Sequence, residues 1–191
     1  MEKLRLLLVH GGTKRLDHLT KLVQGQGFEV TVSKIPATTP VRYEAVIFAG
    51  GTIPAGSYRE AKTWSRKFIQ SLTAPFLGIC LGHLMLGLAY GATYRTLPNI
   101  EYGPTPIYFE EEFPLAPRTR ELRIWEDHRR ELVHLPPQLR NYASSQTTKI
   151  QAIKHVERCQ FGVQFHLESE EETGGLIILE SFLRMIRGRQ E

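Results

Sequence analysis

The stretch Phe76-Leu-Gly-Ile-Cys80-Leu-Gly-His-Leu-Met-Leu-Gly87 decides the fold. It begins as an apolar strand, turns through Gly78-x-Cys80-x-Gly82 and continues as a helix. This order of strand, tight turn and helix is the nucleophile-elbow pattern, with a cysteine where hydrolases of another lineage have a serine. The pattern predicts that Cys80 projects at the carboxyl edge of a parallel sheet, which is where the active sites of α/β proteins form.

The first half of the chain alternates apolar segments of strand length with amphipathic stretches. This alternation is typical of parallel βαβ units whose sheet is covered by helices on both faces. The predicted strands are Leu4–Val9, Phe28–Ile35, Glu44–Ala49 and Phe76–Cys80. The clearest helix is Ser57–Leu72, which Ser57 and Glu60 introduce with a capping-box pattern.

After the elbow helix, short strand candidates follow one another without intervening helices, which indicates antiparallel sheet. These strands are Thr105–Phe109, Leu122–Trp125, Leu139–Ala143, Lys149–Ile153 and Gly162–Phe165, and an apolar helix follows at Leu176–Ile186. We therefore predict an α/β fold: a doubly wound, mostly parallel, flavodoxin-like sheet with an added antiparallel portion. With no linker or composition shift in the sequence, residues 1–191 are expected to form a single domain.

The composition excludes several classes of protein. The chain has 191 residues and a formal net charge of +4, with its basic residues scattered among acids, so we expect no nucleic-acid partner. No apolar run approaches the roughly 20 residues that span a bilayer, so we expect no membrane segment. Two cysteines do not make a disulfide framework, which favours the cytoplasm. No Cys/His set has metal-ligand spacing, so we predict no metal.

A cysteine nucleophile needs a base, and the base needs an orienting group. Gly162-Val-Gln-Phe-His166-Leu-Glu168 supplies both, because His166 would sit at a strand end with Glu168 two residues on. Taken alone, the cysteine could be a buried apolar residue and the H-x-E pair two surface residues. Their combination predicts a Cys80, His166, Glu168 triad. The backbone N–H of Leu81 and a second one from the glycine pair, Gly50 or Gly51, are predicted to form the oxyanion hole.

These residues resemble the class I (triad) glutamine amidotransferases, whose motifs are G-x-C-x-G-x-Q and F-H-P-E. The counterparts here are Gly78-Ile-Cys80-Leu-Gly82-His-Leu84 and Phe165-His166-Leu167-Glu168. In detail the chain looks most like the separate glutaminase subunit of archaeal two-subunit GMP synthetase. The segments that carry this closer likeness are Ile100-Glu-Tyr-Gly103, Ile124-Trp-Glu-Asp-His-Arg-Arg-Glu131, Leu135-Pro-Pro137 and Ile150-Gln-Ala-Ile153.

The resemblance implies a glutaminase in which Cys80 attacks the side-chain amide of glutamine, His166 moves the proton and Glu168 orients His166. Ammonia would pass to an ATP-pyrophosphatase (synthetase) subunit that converts XMP to GMP. By the same resemblance, this chain itself carries no cofactor, and ATP and magnesium belong to the partner. The substrate-binding candidates are Gly50, Leu84, Asp127 and His128.

The chain departs from the family pattern at several of these positions. Leu84 replaces a glutamine that contacts the substrate, and in the segment resembling W-x-S-H-x-D, Asp127 replaces the serine and Arg130 replaces the aspartate. A lost amide contact costs about 1–3 kcal/mol. Three alternatives therefore stay open: a diverged triad hydrolase of another γ-glutamyl or amide substrate, a catalytically inactive regulatory or binding subunit, and another amidotransferase branch such as the anthranilate synthase glutaminase.

Overall fold

The computed structural model describes residues 3–37, 42–53, 58–170 and 174–189. These residues form nine strands and four helices in an α/β arrangement. The strands are β1 (Arg5–Gly11), β2 (Glu29–Lys34), β3 (Ala45–Gly51), β4 (Phe76–Ile79), β5 (Thr93–Phe109), β6 (Glu121–His134), β7 (Leu139–Ser144), β8 (Ala152–His155) and β9 (Gln160–Val163). The helices are α1 (Leu16–Gly25), α2 (Tyr58–Ser71), α3 (Leu81–Tyr90) and α4 (Leu176–Arg187).

All nine strands belong to one sheet in the order β2-β1-β3-β4-β9-β8-β7-β5-β6. The strands from β2 to β9 in this order are parallel, and those from β9 to β6 are antiparallel. The predicted doubly wound parallel sheet with an added antiparallel portion is therefore confirmed. Within the described residues, no helix is both long and apolar enough to cross a membrane.

Successive side chains of the buried parallel strands pack alternately into two separate hydrophobic cores, one on each face of the sheet. In β1, Leu6 and Leu8 pack with α1 and α4 on one face, and Leu7 and Val9 pack with α2 and α3 on the other. Successive side chains of a strand point to opposite faces, so a strand that is covered on both sides has to be apolar throughout. This is why the near-continuous apolar runs of the first half predict the parallel strands correctly.

The antiparallel half differs in extent from the prediction. Thr105–Phe109 and Leu122–Trp125 are only parts of β5 and β6, which pair as a long hairpin. Prolines 98, 104 and 106 argue against a strand over most of β5. They are tolerated because β7 pairs with β5 only at Tyr108 and Phe109, so the rest of β5 is open on that side.

Other boundaries move by a few residues. The predicted Lys149–Ile153 strand is observed at Ala152–His155, and the predicted Gly162–Phe165 strand at Gln160–Val163. Pairing with β4, where Phe76 lies opposite Gln160 and Ile79 opposite Val163, sets the limits of β9, and apolar patterning alone does not reveal this register. Helix α2 lies where it is predicted, whereas Ser57, the predicted capping residue, lies outside the described residues.

The glycines of the elbow are required by close backbone contacts. A Cβ on Gly82 would overlap the carbonyl oxygen of Phe48 in β3, and a Cβ on Gly78 would overlap the backbone of Gly82. The first turn of α3 therefore rests directly on β3 and β4. Any larger side chain at Gly82 would push α3 away from the sheet and move the residue at the turn.

We predict that Gly82→Ala lowers the free energy of unfolding by about 2–3 kcal/mol or more, because backbone atoms have to shift to admit the methyl group. Gly25→Ala is the matched control, since a Cβ there meets no atom within 4 Å. The control should change stability by less than about 1 kcal/mol, on the stabilising side, because alanine favours the helix. Urea denaturation of both variants measures the difference, and equal effects of the two would contradict the packing argument.

Candidate active site

Cys80 occupies the turn between β4 and α3 in a strained conformation. Its φ is 52° and its ψ is −98°, and only one other described non-glycine residue, Arg118, has a positive φ. Such strain persists only where the surroundings impose it. Here the backbone N–H of Cys80 donates to Val163 O at 2.8 Å, and its carbonyl accepts from the N–H of Leu84 at 3.1 Å. The cysteine is thereby fixed to β9 on one side and to α3 on the other.

His166 and Glu168 form a buried pair. The Nδ1 atom of His166 lies 2.8 Å from Oε1 of Glu168, and the two side chains are 4% and 0% exposed. His166 lies three residues beyond the end of β9 and not at its last position, which corrects the sequence prediction. Its backbone N–H donates to the carbonyl of Trp125 at 2.8 Å, so β6 of the antiparallel half holds it in place.

The environment of His166 favours its charged form. Burial by itself would lower the pKa of the imidazole, but the Glu168 carboxylate and the Cys80 sulfur, which are both in contact with the ring, outweigh burial and raise the pKa well above 6.5. Because Nδ1 of His166 faces Glu168, Nε2 is the ring nitrogen that is left to contact the Cys80 sulfur. The structure therefore brings Cys80, His166 and Glu168, the three residues of the predicted triad, into contact.

Gly50 lies between the side chains of Cys80 and His166, where there is little room for a side chain. A Cβ at this position would lie 3.1 Å from Cε1 of His166 and 3.7 Å from Cβ of Cys80. Gly50 thus forms the floor between these two side chains, and a larger residue would crowd the imidazole. We interpret Gly50 as a residue that shapes the site, beside its predicted role in substrate binding.

The two oxyanion-hole candidates border the nucleophile. Leu81 is the first residue of α3, where backbone N–H groups point outward without a partner in the helix. Gly51 has a φ of 139°, which other residues rarely adopt, and a Cβ there would overlap the backbone of Gly11. Both line the cavity that contains Cys80, and their role as donors stays a prediction.

A cavity of about 290 Å³ opens in front of Cys80. Most predicted site residues line it: Gly51, Cys80, Leu81, Leu84, Asp127 and His128. A larger cavity of about 530 Å³, between Lys34, Ile53 and Trp64, shares only Thr52 with it and contains no triad residue. We assign the chemistry to the smaller cavity, because only this one contains the nucleophile.

The cavity also contains residues that sequence reasoning missed. Tyr58, Ile100 and Gln164 line it, and the Nε2 atom of Gln164 lies 3.9 Å from the Cys80 sulfur. Tyr58 begins α2 and Ile100 belongs to β5, so only the folding of the chain brings them to the cysteine. Gln164 lies two residues before His166, and this proximity is the one signal that could have identified it.

Charged side chains surround the mouth of the cavity. Asp127 pairs with Arg15 at 3.3 Å, and both are partly exposed. The guanidinium of Arg130 lies over the Tyr58 ring, 4.5 Å from its centroid. Among the described residues, Arg130 forms no salt bridge with a carboxylate, so its charge is held by the aromatic ring and faces the cavity.

His128 lies in the cavity wall in a buried charged cluster. Its Nε2 atom lies 3.2 Å from Glu101 Oε2 and 3.3 Å from Glu126 Oε2. Burial alone would lower the pKa of His128, but the two carboxylates raise it to about 10. Burial raises the pKa of Glu126, while hydrogen bonds from His128, Thr148 and Ser145 outweigh burial at Glu101 and lower its pKa.

His83, three residues after the nucleophile, is not an alternative base. It is fully buried behind the elbow, against Gly162 of β9, and burial lowers its pKa to about 3. A side chain without access to the cavity cannot exchange a proton with a substrate. The second cysteine, Cys159, is a free thiol near Met185, at the opposite end of β9 from the site.

Comparison with known proteins identifies the family of the chain. The family model for glutamine amidotransferase class-I matches residues 12–186. A Saccharolobus solfataricus protein, named as a glutamine-hydrolyzing GMP synthase subunit, is 35% identical over 95% of the chain and 97% of its own length. A Pyrococcus abyssi protein of the same name is 30% identical over 94% and 97%.

Solved structures show the same fold. A Thermoplasma acidophilum protein with a provisional GMP synthase name superposes with a TM-score of 0.89 at 23% identity, over 100% of this chain and 97% of that one. A Thermotoga maritima glutamine amidotransferase gives a TM-score of 0.74 at 18% identity, over 99% and 84%. The chain belongs to the class-I glutamine amidotransferase family. Within that family, the Saccharolobus solfataricus and Pyrococcus abyssi proteins match the chain over nearly their whole length. Both carry the name of the glutamine-hydrolyzing GMP synthase subunit.

We predict that Glu168→Gln lowers the pKa of His166, because the carboxylate whose charge does most to oppose burial is lost and only the contact with Cys80 still raises the pKa. The raised folded pKa stabilises the native state below about pH 6.5, and this stabilisation is lost as the pH rises towards the folded value. The difference in stability between the parent and Glu168→Gln should therefore be largest near about pH 6 and shrink at higher pH.

Titration of the imidazole C–H signals by NMR measures the pKa, and urea denaturation at several pH values measures the stability. The control is Glu170→Gln, since the Glu170 side chain is 80% exposed and contacts His18 instead. A His166 pKa that is the same in Glu168→Gln and in the parent would contradict the assigned role of Glu168.

Proposed function

We propose that this chain is the glutaminase subunit of a two-subunit GMP synthase. It would hydrolyse glutamine to glutamate and ammonia and supply the ammonia to an ATP-pyrophosphatase subunit that converts XMP to GMP. The observation that carries the proposal is Cys80 at a strained elbow, in contact with a buried His166 that a buried carboxylate, Glu168, orients. The names of the full-length relatives support the choice of pathway.

The first half of the reaction forms a thioester. The Cys80 thiolate attacks the side-chain carbonyl carbon of glutamine, and the developing oxyanion would accept hydrogen bonds from the N–H groups of Leu81 and Gly51. The His166 imidazolium donates its proton to the departing nitrogen, so that the C–N bond breaks and ammonia leaves. Glu168 holds the imidazole ring in place and stabilises its charge.

The second half releases glutamate. Neutral His166 accepts a proton from a water molecule, which attacks the thioester carbonyl and expels the Cys80 sulfur. The thiolate and the imidazolium are thereby restored together. No step needs a metal or organic cofactor on this chain, and ATP and Mg²⁺ would act on the partner subunit. A catalytic thiol must be reduced, which is consistent with action in the cytoplasm.

The cavity offers both charges that a free amino acid needs. The guanidinium of Arg130, which forms no salt bridge within the described residues, would bind the α-carboxylate of glutamine, and Asp127, whose ion pair with Arg15 is partly exposed, would bind its α-ammonium group. Arg130 is pre-positioned by Tyr58, so little side-chain freedom is lost on binding. These contacts would offset the amide contact that is lost at Leu84, which is 3% exposed and apolar. Gly50 and His128 would complete the pocket.

A diverged amide hydrolase is the second candidate, and Leu84 is the observation that favours it. An apolar side chain in the pocket wall fits a γ-glutamyl amide with an N-alkyl group better than it fits a free amide. Turnover of γ-glutamyl-N-alkylamides, with none of glutamine whether or not a synthetase subunit is present, would establish this alternative. Turnover of glutamine without turnover of the N-alkylamides would exclude this alternative.

We predict that a glutamine-like diazo-ketone labels Cys80 and that Cys80→Ala abolishes both labelling and ammonia release. Intact-protein mass spectrometry measures the first, and an ammonia assay measures the second. Cys159→Ala is the matched control, because this thiol is partly buried yet lies outside the cavity, and it should behave like the parent. Absence of labelling with and without a synthetase subunit would refute the glutaminase proposal.

We predict that Arg130→Gln raises the KM for glutamine by about 10- to 100-fold with a much smaller effect on kcat, since an ionic contact with the substrate carboxylate is lost. Arg130→Lys should recover part of the loss. Arg129→Gln is the control, because Arg129 is exposed and is the adjacent arginine of the same cavity mouth.

A substrate that lacks the carboxylate separates this role from general damage. For 4-aminobutanamide, which keeps the amide and the amine, the parent and Arg130→Gln should have the same kcat/KM. A loss of activity on this amide as large as the loss on glutamine would show that Arg130 acts on the structure of the site and does not bind the carboxylate.

A further inference from the structure

The pairing of β5 with β6 brings three potential metal ligands to one face of the hairpin. Glu101 lies directly opposite His128, and Gly103 lies opposite Glu126. Residues two apart on a strand share a face, so Glu126 and His128 point the same way as Glu101. The ligand atoms of the three side chains all lie within 4.8 Å of one another. All three residues are buried.

The Glu126 carboxylate is the second observation that points to a ligand. Its side chain is 0% exposed, and neither oxygen has a hydrogen-bond partner among the described residues. The neighbouring Gln151 directs its Nε2 at Ser145 Oγ, 3.2 Å away. Glu126 Oε2 is directed at His128 Nε2 across 3.3 Å without hydrogen-bond geometry. Glu126 shares its positively charged neighbour, His128, with Glu101, and a divalent ion would supply the charge and the coordination that one shared imidazolium does not.

The other two ligands are already oriented from behind. The His128 Nδ1 atom lies 3.1 Å from the carbonyl oxygen of Arg130, which fixes the ring and leaves Nε2 facing the carboxylates. Glu101 accepts hydrogen bonds from Ser145 at 2.8 Å and from Thr148 at 2.7 Å. Metal-binding histidines and carboxylates are typically supported by such outer contacts.

We propose that Glu101, Glu126 and His128 bind a divalent transition-metal ion, with Zn²⁺ the best match. Zinc binds nitrogen and carboxylate oxygen at about 2.0–2.2 Å, so two ligands of a tetrahedral site are about 3.3–3.5 Å apart. The observed separations from His128 Nε2 are 3.2 and 3.3 Å. The ion would replace the proton on Nε2 of His128, and two carboxylates with the neutral imidazole that results balance its charge.

The site would act as a clip in the wall of the active cavity. Glu101 comes from β5 and the other two ligands from β6, so the ion would fix the register of the hairpin beside a break in pairing between Thr96 and Glu101. The segment from Asp127 to Arg130 would be held in place with it. The sequence prediction of no metal rests on Cys/His spacing, and this set, with a single histidine and its ligands on two separate strands, has no such spacing.

The test measures metal binding in a Cys80→Ala background, so that the catalytic thiol cannot bind the ion. Titration of the metal-free protein with Zn²⁺ by calorimetry should give one equivalent bound. Glu126→Gln, which preserves shape, should weaken binding by at least about 10- to 100-fold, and Glu101→Gln should do the same. Glu111→Gln, which removes an exposed carboxylate outside the cluster, should leave the affinity unchanged.

Co²⁺ reports on coordination geometry through its visible absorption. The Cys80→Ala protein should show the intense bands of a four-coordinate ion, and Glu126→Gln should lose them. Zinc should also raise the thermal midpoint of the first protein but not of the second. Absence of stoichiometric binding, or binding that survives both glutamate substitutions, would overturn the proposal. Since no readout depends on glutamine turnover, this result is separate from the fate of the glutaminase proposal.

Discussion

The close contact between the backbone of Gly82 and the carbonyl oxygen of Phe48 is the constraint on which the rest of the site depends. It holds the start of α3 against β3. The chain then has to turn sharply at the end of β4, and Cys80 adopts a positive φ there. The strain is sustained by hydrogen bonds to β9 and α3. A nucleophile in this position has its side chain at the sheet edge and the N-terminus of a helix behind it, the two conditions that thiol chemistry needs.

His166, the candidate base, is held in place by the antiparallel half of the sheet. His166 follows β9, the strand at which the parallel half meets the antiparallel half, and its backbone is tied to Trp125 of β6. The parallel half therefore supplies the nucleophile and the glycine floor, while the antiparallel hairpin positions the base and forms the charged cavity wall. A change in the hairpin can alter substrate selection through Asp127, His128 and Arg130 without disturbing Cys80 or Glu168.

The buried triad residues and the cavity mouth differ in how strongly the surrounding structure constrains them. The triad is buried and mutually supporting, so each member constrains the others. The cavity mouth is partly exposed, and its arginine and aspartate can be exchanged at little cost to folding. We therefore expect substitutions at the mouth to be tolerated more readily than substitutions in the triad.

The sequence by itself determined the parallel half and the elbow, and it singled out Cys80, His166 and Glu168, which the structure brings together. Continuous apolar strands, glycines two residues either side of Cys80, and an H-x-E segment are local patterns whose meaning depends on short-range sterics. Only the tertiary structure decided the length of the β5–β6 hairpin and the end of β9, because strand pairing sets both. It also decided which distant side chains meet. Tyr58 reaches Arg130, and Glu101 reaches Glu126 and His128, through contacts between residues far apart in the chain, which no local pattern encodes.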